Sequence, residues 1–257
     1  RIFYKNGSSL SYCRNLGQKE SKFEFIAFID DDIILPKDYF SKALKVLKTN
    51  KNICGVGAPY SDLNINRNKF SLLIGRFFFI YSNGKTNKIL KSGWADYFRT
   101  NNGKELIKCD WLHGCNSVYR KSIFQNKSLI EDSLIRWSFL EDVILGYRIT
   151  NQFKNPLYLM PYNRVIHKGE ISSGQITRET ILMRILYRYV FFYHEITNKN
   201  FLFHVQFLTG QLGGILLILK QSDFFLGVRS ILEAYKTILF KKIKTYDEAN
   251  QFINKKV

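Results

Sequence analysis

The sequence predicts an α/β fold with a helical carboxyl-terminal part, and three observations carry that prediction. An apolar run, Phe25-Ile26-Ala27-Phe28-Ile29, stops at Asp30-Asp31-Asp32, as a buried strand ending at a polar site does. Strand-like and helix-like segments then alternate as far as about residue 160. From Thr177 onward the pattern is helical throughout. With 46% hydrophobic residues in 257, the chain can fill a substantial core, and only 4 prolines interrupt it, so flexible linkers are not expected.

The elements follow in order. Pro36 opens a helix whose apolar residues Tyr39, Phe40, Ala43, Leu44 and Leu47 recur at helical spacing until Asn50, and residues 53–58 read as the next strand. Residues 61–108 read as a hairpin-bearing insertion: 72–80 fits helix or strand, and Ser82-Asn83-Gly84-Lys85 is a turn signal. Residues 115–119 form a strand, 141–153 a helix and 157–160 a short strand. Residues 177–197 form a long helix. The run 201–219 is almost uniformly apolar and suits a buried or re-entrant helix at a membrane surface better than a span, since it carries His204, Gln206, Gln211 and three glycines. This divides the chain into residues 1–170, an α/β catalytic domain, and residues 171–257, a helical extension.

A net charge of +18 favours phosphate-bearing partners, but the basic residues are scattered, as at Lys45, Lys48 and Lys51. No helix-turn-helix, zinc-finger or aromatic-basic RNA signature accompanies them, so nucleic acid is not an expected partner. Cys13, Cys54, Cys109 and Cys115 lack CxxC spacing and read as small buried apolar residues in a reducing compartment.

Four stretches carry candidate chemistry, each with a bland alternative. Asp30 and Asp32 lie on one side of an extended segment and suit a hard cation, Mg²⁺ or Mn²⁺, able to neutralise a diphosphate leaving group; alone, the triplet is equally an acidic turn before a helix. Glu141-Asp142 at a helix start offers a general base, or simply complements the helix dipole. Trp111-Leu112-His113-Gly114-Cys115-Asn116-Ser117 suits the wall of a sugar pocket, or an ordinary loop with a packed Trp. His167, after a strand, is a third metal ligand or a structural histidine.

Taken in order, these stretches resemble the family-2 glycosyltransferases of the GT-A fold, the bacterial group that builds surface polysaccharides. Asn6-Gly7-Ser8 through Cys13-Arg14-Asn15-Leu16-Gly17 resembles the family's "G-x-s-x-a-R-N-x-G", and Phe28-Ile29-Asp30-Asp31-Asp32 its "l-D-x-D". Gly114-Cys115-Asn116 with Tyr119-Arg120-Lys121 resembles "G-x-n-x-x-x-R-r", and Phe139-Leu140-Glu141-Asp142-Val143 resembles "E-D-x-x-l". The resemblance runs over about residues 6–170.

It implies a GT-A-like, Rossmann-like mixed and mostly parallel sheet flanked by helices. It implies a divalent metal, Mn²⁺ or Mg²⁺, on Asp30, Asp32 and His167, and Asp142 as catalytic base with Glu141 beside it. Arg14, Asn15, Asp31, Trp111, His113, Gly114, Asn116 and Arg120 would contact donor or acceptor. The implied reaction is inverting transfer from a nucleotide sugar to a saccharide or lipid-linked acceptor. Members begin with a strand, a "P-x-y-N" turn, a helix and a second strand that bind the nucleotide base, so the natural chain is expected to extend before Arg1. The expected location is cytoplasmic, peripheral on the inner face of the cell membrane, with Arg178, Arg184 and Arg188 at helical spacing facing anionic lipid. The rival reading is a non-catalytic carbohydrate-binding protein on a degraded transferase fold, against which Asp30, Asp32 and Asp142 all stand intact.

Overall fold

The computed structural model describes residues 9–61, 69–99, 103–125, 128–152, 154, 156–168, 176–196 and 199–254. Helix α1 (Leu10–Glu20) starts at Ser9, whose side chain accepts the Tyr12 N–H, and leads to β1 (Phe25–Ile29) and β2 (Ile33–Ile34). Helix α2 (Tyr39–Thr49) follows, burying Tyr39, Ala43 and Leu47 at the expected spacing against Val56 and Val118, and β3 (Gly55–Gly57) comes next. Then come α3 (Lys69–Phe77), β4 (Lys88–Ile89), β5 (Ala95–Asp96), β6 (Ile107–Cys109), β7 (Asn116–Arg120), α4 (Glu141–Tyr147), β8 (Leu157–Leu159) and β9 (Ile166–His167). Four helices close the described chain: α5 (Arg178–Val190), α6 (Phe201–Gln221), α7 (Phe224–Lys241) and α8 (Tyr246–Ile253). Side chains of Thr177, Asn200, Asp223 and Thr245 cap their amino ends.

The main sheet has the order β1-β7-β3-β8-β6. The α/β class and the mixed sheet are as the sequence implied, with β1, β3 and β8 pointing the same way. The balance of ladders differs from a mostly parallel sheet. Only β3 with β8 is a parallel ladder among the described strands; β1 with β7, β3 with β7, and β6 with β8 are antiparallel. Alternation along the chain reports the direction of β1 and β3, linked by the α2 crossover. It is blind to β7, which arrives some 60 residues after β3 and inserts between the two.

The insertion does contain a hairpin, β4 with β5, but its turn is at Leu90–Trp94, where Gly93 takes φ +76°. Ser82 to Lys85 is instead a bend fastened by the Asp96 carboxylate, which accepts both the backbone N–H and the hydroxyl of Ser82 at 2.6 Å. The helix expected over 141–153 is α4 continued by a π-helical turn, Arg148–Gln152. Cys109 and Cys115 are buried as expected, whereas Cys13 is exposed.

Helices α4, α5, α6, α7 and α8 share one hydrophobic core, which includes Trp111, Ile144, Leu186, Phe207, Ile231 and Ile253. The inner face of α6 carries Gly210 and Gly214, and a Cβ at Gly214 would meet the Trp94 ring at 2.7 Å, so glycine there permits the close approach. Its outer face exposes Phe201, Val205, Leu208, Leu212 and Leu216. Among the described residues, α6 is the one helix long and apolar enough to cross a membrane. Arg178 and Arg188 do not face outward as the membrane argument required. Arg178 pairs with Glu233 of α7 and Arg188 is buried, because α7 and the Trp94 loop cover that side of α5.

Candidate functional site

The site forms where the carboxyl ends of β1, β3 and β8 meet the amino end of β7, the edge at which α/β sheets bind ligands. Asp30 follows β1, its N–H donating to the Cys115 carbonyl at 3.2 Å. Asp32 leads into β2, and the antiparallel β2–β9 pair sets Ile33 opposite His167. A residue 135 positions later is thereby carried to the acidic triplet, with His167 Nε2 3.5 Å from Asp32 Oδ1. That oxygen is buried and takes no hydrogen bond from the described residues. Ligating atoms of Asp30, His167 and Cys115 lie within 4.8 Å of one another.

The donor set suits a hard or borderline cation through Asp30, Asp32 and His167. Cys115 is the neighbour that sequence reasoning passed over. Burial pushes its thiol up to about 11, and it shares a 2.7 Å hydrogen bond with the Tyr60 hydroxyl, so it stays protonated and is a poor ligand for Mg²⁺ or Mn²⁺. Asp31, by contrast, is exposed on the outer side of the triplet.

Arg14, one turn into α1, joins the halves of the site. It donates to Asp30 Oδ1 at 3.0 Å and forms an ion pair with Glu141. Gly114 lies against this junction: a Cβ there would press on Arg14 Nη1 and Glu141 Oε1, so a larger residue would have to displace the ion pair. The Gly114 N–H donates to Asp142 Oδ2 at 3.3 Å and the Val143 N–H to Asp142 Oδ1 at 2.9 Å. Burial raises the Asp142 carboxyl above the ordinary carboxylate range, opposed by the charge of Arg14 and these backbone donors.

The segment entering α4 is strained: Arg136, Ser138 and Leu140 all have positive φ, 55°, 54° and 69°. Each costs about 1–3 kcal/mol. Contacts with α1 hold it there, since the Leu10 N–H donates to the Arg136 carbonyl at 2.9 Å and the Ser11 N–H to Ser138 Oγ at 3.0 Å. Helix α1 therefore fixes both Arg14 and the approach to Glu141 and Asp142.

Aromatic rings line the route away from the acidic triplet. Tyr60 packs on His167 and on His113, and Tyr97 stacks on His113 at 5.4 Å between centroids. His113 is fully enclosed; burial, aided by His167, pushes it down to about 3, so it is neutral, and the Asn87 amide lies 3.4 Å from its Nε2. Beyond Tyr97 opens a cavity of about 400 Å³ whose wall includes Trp94, Asp142, Arg184, Arg188 and Gln211. Tyr60, Tyr97 and Trp94 had no sequence signal, since they belong to weakly patterned stretches joined only by the fold.

Three implied contact residues lie elsewhere. Asn15 donates to Asp132 at 2.5 Å on the surface. Arg120 sits at the opposite end of β7, opposite Phe25 and about 13 Å along the strand from Asn116. There it binds the Ile53 and Asn50 carbonyls at 2.9 and 3.3 Å, fastening the end of α2. Trp111 is wholly buried in the core and offers no ring to a ligand. Asn116 is buried as well and acts on the backbone: its Oδ1 accepts the Ala58 N–H at 2.8 Å, joining β7 to the end of β3.

Comparison with known proteins gives a match between residues 2–126 and the model described as glycosyl transferase family 2. No curated protein matches the chain. Among solved structures, a crystal structure of GalNAc-T7 with UDP, GalNAc and Mn2+ aligns at 9% identity with a TM-score of 0.44, covering 90% of this chain. The chain spans 44% of the length of that one.

Proposed function

We propose, from the match of residues 2–126 to the glycosyl transferase family 2 model, that the protein is an inverting, metal-dependent glycosyltransferase with Asp142 as its base. The supporting observation is the junction at Gly114. Residues 14, 30, 114, 141 and 142, far apart in sequence, meet there, with the acidic triplet on one side of Asp142 and an open cavity on the other. Asp30, Asp32 and His167 would hold Mn²⁺ or Mg²⁺, which when bound supplies positive charge against the departing nucleoside diphosphate. Asp142 takes the proton of the acceptor hydroxyl while that oxygen bonds to the anomeric carbon, and the carbon–oxygen bond to the diphosphate breaks on the opposite face. Glu141 stays paired with Arg14 and orients the helix that carries Asp142.

A panel of nucleotide sugars, assayed with Mn²⁺ and with chelator, tests this reading. Turnover of one donor should require metal and fall about 10²–10⁴-fold in Asp142→Asn. The rising limb of its pH profile should lie above the ordinary carboxylate range, because Asp142 must be ionised to act and its carboxyl is raised. Metal-independent turnover, or an Asp142→Asn variant as active as the parent, would sink the assignment and favour the binding-protein reading.

The acceptor we assign is a lipid-linked saccharide of a surface polysaccharide, met at the cytoplasmic face of the membrane. The outer face of α6 shares a groove with α3, lined by Phe70, Ile74 and Leu216, and Leu73 and Phe77 of α3 and Phe225, Leu232 and Leu239 of α7 are exposed as well. Exposed Lys236, Lys241, Lys242 and Lys244 border it, a combination suited to anionic lipid. Flotation with vesicles of phosphatidylglycerol and phosphatidylcholine should recover the protein and lose most of it in Leu208→Ser/Leu212→Ser. Equal recovery of both proteins would remove the membrane from the account.

A further inference from the structure

We propose that Arg184 and Arg188 form an oxyanion subsite that seats a phosphate of the acceptor beside the hydroxyl facing Asp142; this rests on Asp142 being the base of a sugar transfer. Arg188 is 7% exposed and meets no carboxylate among the described residues. Its guanidinium carbon lies over the Trp94 ring, 3.7 Å from the centroid, with the Phe139 centroid at 5.4 Å, and Nη1 donates to the Arg184 carbonyl at 3.0 Å. Its Nε is buried with no hydrogen-bond partner among the described residues. Arg184, one turn earlier on the same helix face, reaches Gln221 Oε1 at 3.1 Å. Both arginines line the cavity that also contains Asp142.

A buried cation without a counter-ion is destabilising, and a core helix without a ligand to bind would be more stable with leucine there. Buried Arg14 and part-buried Arg99 and Arg148 each lie against carboxylates, which sets Arg188 apart among the described buried arginines. Burial and the neighbouring Arg184 pull Arg188 down only to about 9, so it remains charged at neutral pH. The aromatic contacts of Trp94 and Phe139 hold the guanidinium at the cavity wall without neutralising its charge.

Two guanidinium groups about one helical turn apart match a tetrahedral phosphate better than a planar carboxylate. The donor diphosphate has its own place at the acidic triplet, separated from this pair by the Tyr60, His113 and Tyr97 rings. The wall of the cavity is also the inner face of α6, whose outer face is the exposed apolar one. A phosphate joining a saccharide to a lipid would therefore lie between the membrane side and the base.

The test is calorimetric titration of the whole chain with glucose 1-phosphate, glucuronate and glucose in metal-free buffer. Glucose 1-phosphate should bind in a salt-sensitive manner. Its affinity should fall about ten- to hundredfold in Arg188→Gln and several-fold in Arg184→Gln, remain unchanged in Asp32→Ala, and recover in part in Arg188→Lys. Near-ultraviolet circular dichroism identifies the folded variants, and the part-exposed Arg184 keeps the test open should Arg188→Gln unfold. The subsite is overturned if wild type does not bind glucose 1-phosphate, if folded Arg184→Gln and Arg188→Gln bind as well as wild type, if Asp32→Ala abolishes binding, or if glucuronate binds more tightly. Because no donor or metal is present, phosphate binding without transferase turnover would refute the transfer reading alone. Turnover without phosphate binding would refute the subsite alone.

Discussion

Arg14 and Arg188 are equally buried, each at 7% exposure, and the protein treats them in opposite ways. Arg14 ties α1 to Asp30 after β1 and to Glu141 at the start of α4, so two carboxylates answer its charge. Arg188 rests on Trp94 and Phe139 and forms no ion pair among the described residues. The first arrangement is closed: every charge has its partner inside the fold, and the pair serves to hold Asp142 against Gly114. The second is open and bordered by a cavity. Equal burial with unequal partnering separates a residue that builds the site from one that waits for something to enter it.

Replacing each arginine by methionine should break that symmetry most visibly. Arg14→Met leaves Glu141 buried and unpaired, so about 3–5 kcal/mol of stability should disappear. Arg188→Met removes an unanswered cation and keeps an apolar side chain on Trp94; the change should stay within about 1 kcal/mol or be stabilising. Urea unfolding followed by circular dichroism measures both. Equal, large losses would mean that the protein itself compensates Arg188, and the contrast would collapse.

The same contrast marks what the amino-acid sequence could disclose. Asp30 and Asp32 were legible because a strand end is a local event, and Arg14, Gly114, Glu141 and Asp142 because each belongs to a short run of fixed spacing. Helical spacing also put Arg178, Arg184 and Arg188 on one face, but spacing does not say what covers a face. Glu233 covers Arg178 and Trp94 covers Arg188, partners that lie 55 and 94 residues away. Arg120 illustrates the complementary error. It shares a motif with Asn116, yet a five-residue strand carries the two to opposite ends of the sheet. The hairpin turn was misplaced for a related reason: Ser82 to Lys85 has turn composition, and the strands that pair are set by Asp96 and Asp110 instead.

His113 shows a third way of burying an ionisable group, neither pairing the charge nor leaving it open but remaining neutral. Enclosed by Tyr60, Tyr97 and Trp111 and facing the Asn87 amide, it titrates at about 3 in the folded chain against about 6.5 when unfolded. The unfolded chain thus binds the extra proton first. The contribution to stability is full above about pH 6.5 and shrinks as the pH falls toward the folded value, by about 2 kcal/mol between pH 6.5 and 5. Urea unfolding at a series of pH values should show that slope in the parent and a flatter one in His113→Gln, which cannot take up the proton. An unchanged slope would place the acid sensitivity elsewhere and would mean that His113 carries charge beside Tyr97. The neutral ring matters for the comparison of the two arginines, because an imidazolium there would repel both Arg188 and the cation expected at Asp30. By staying uncharged, His113 lets one end of the aromatic stack face the proposed metal site and the other a pair of guanidinium groups.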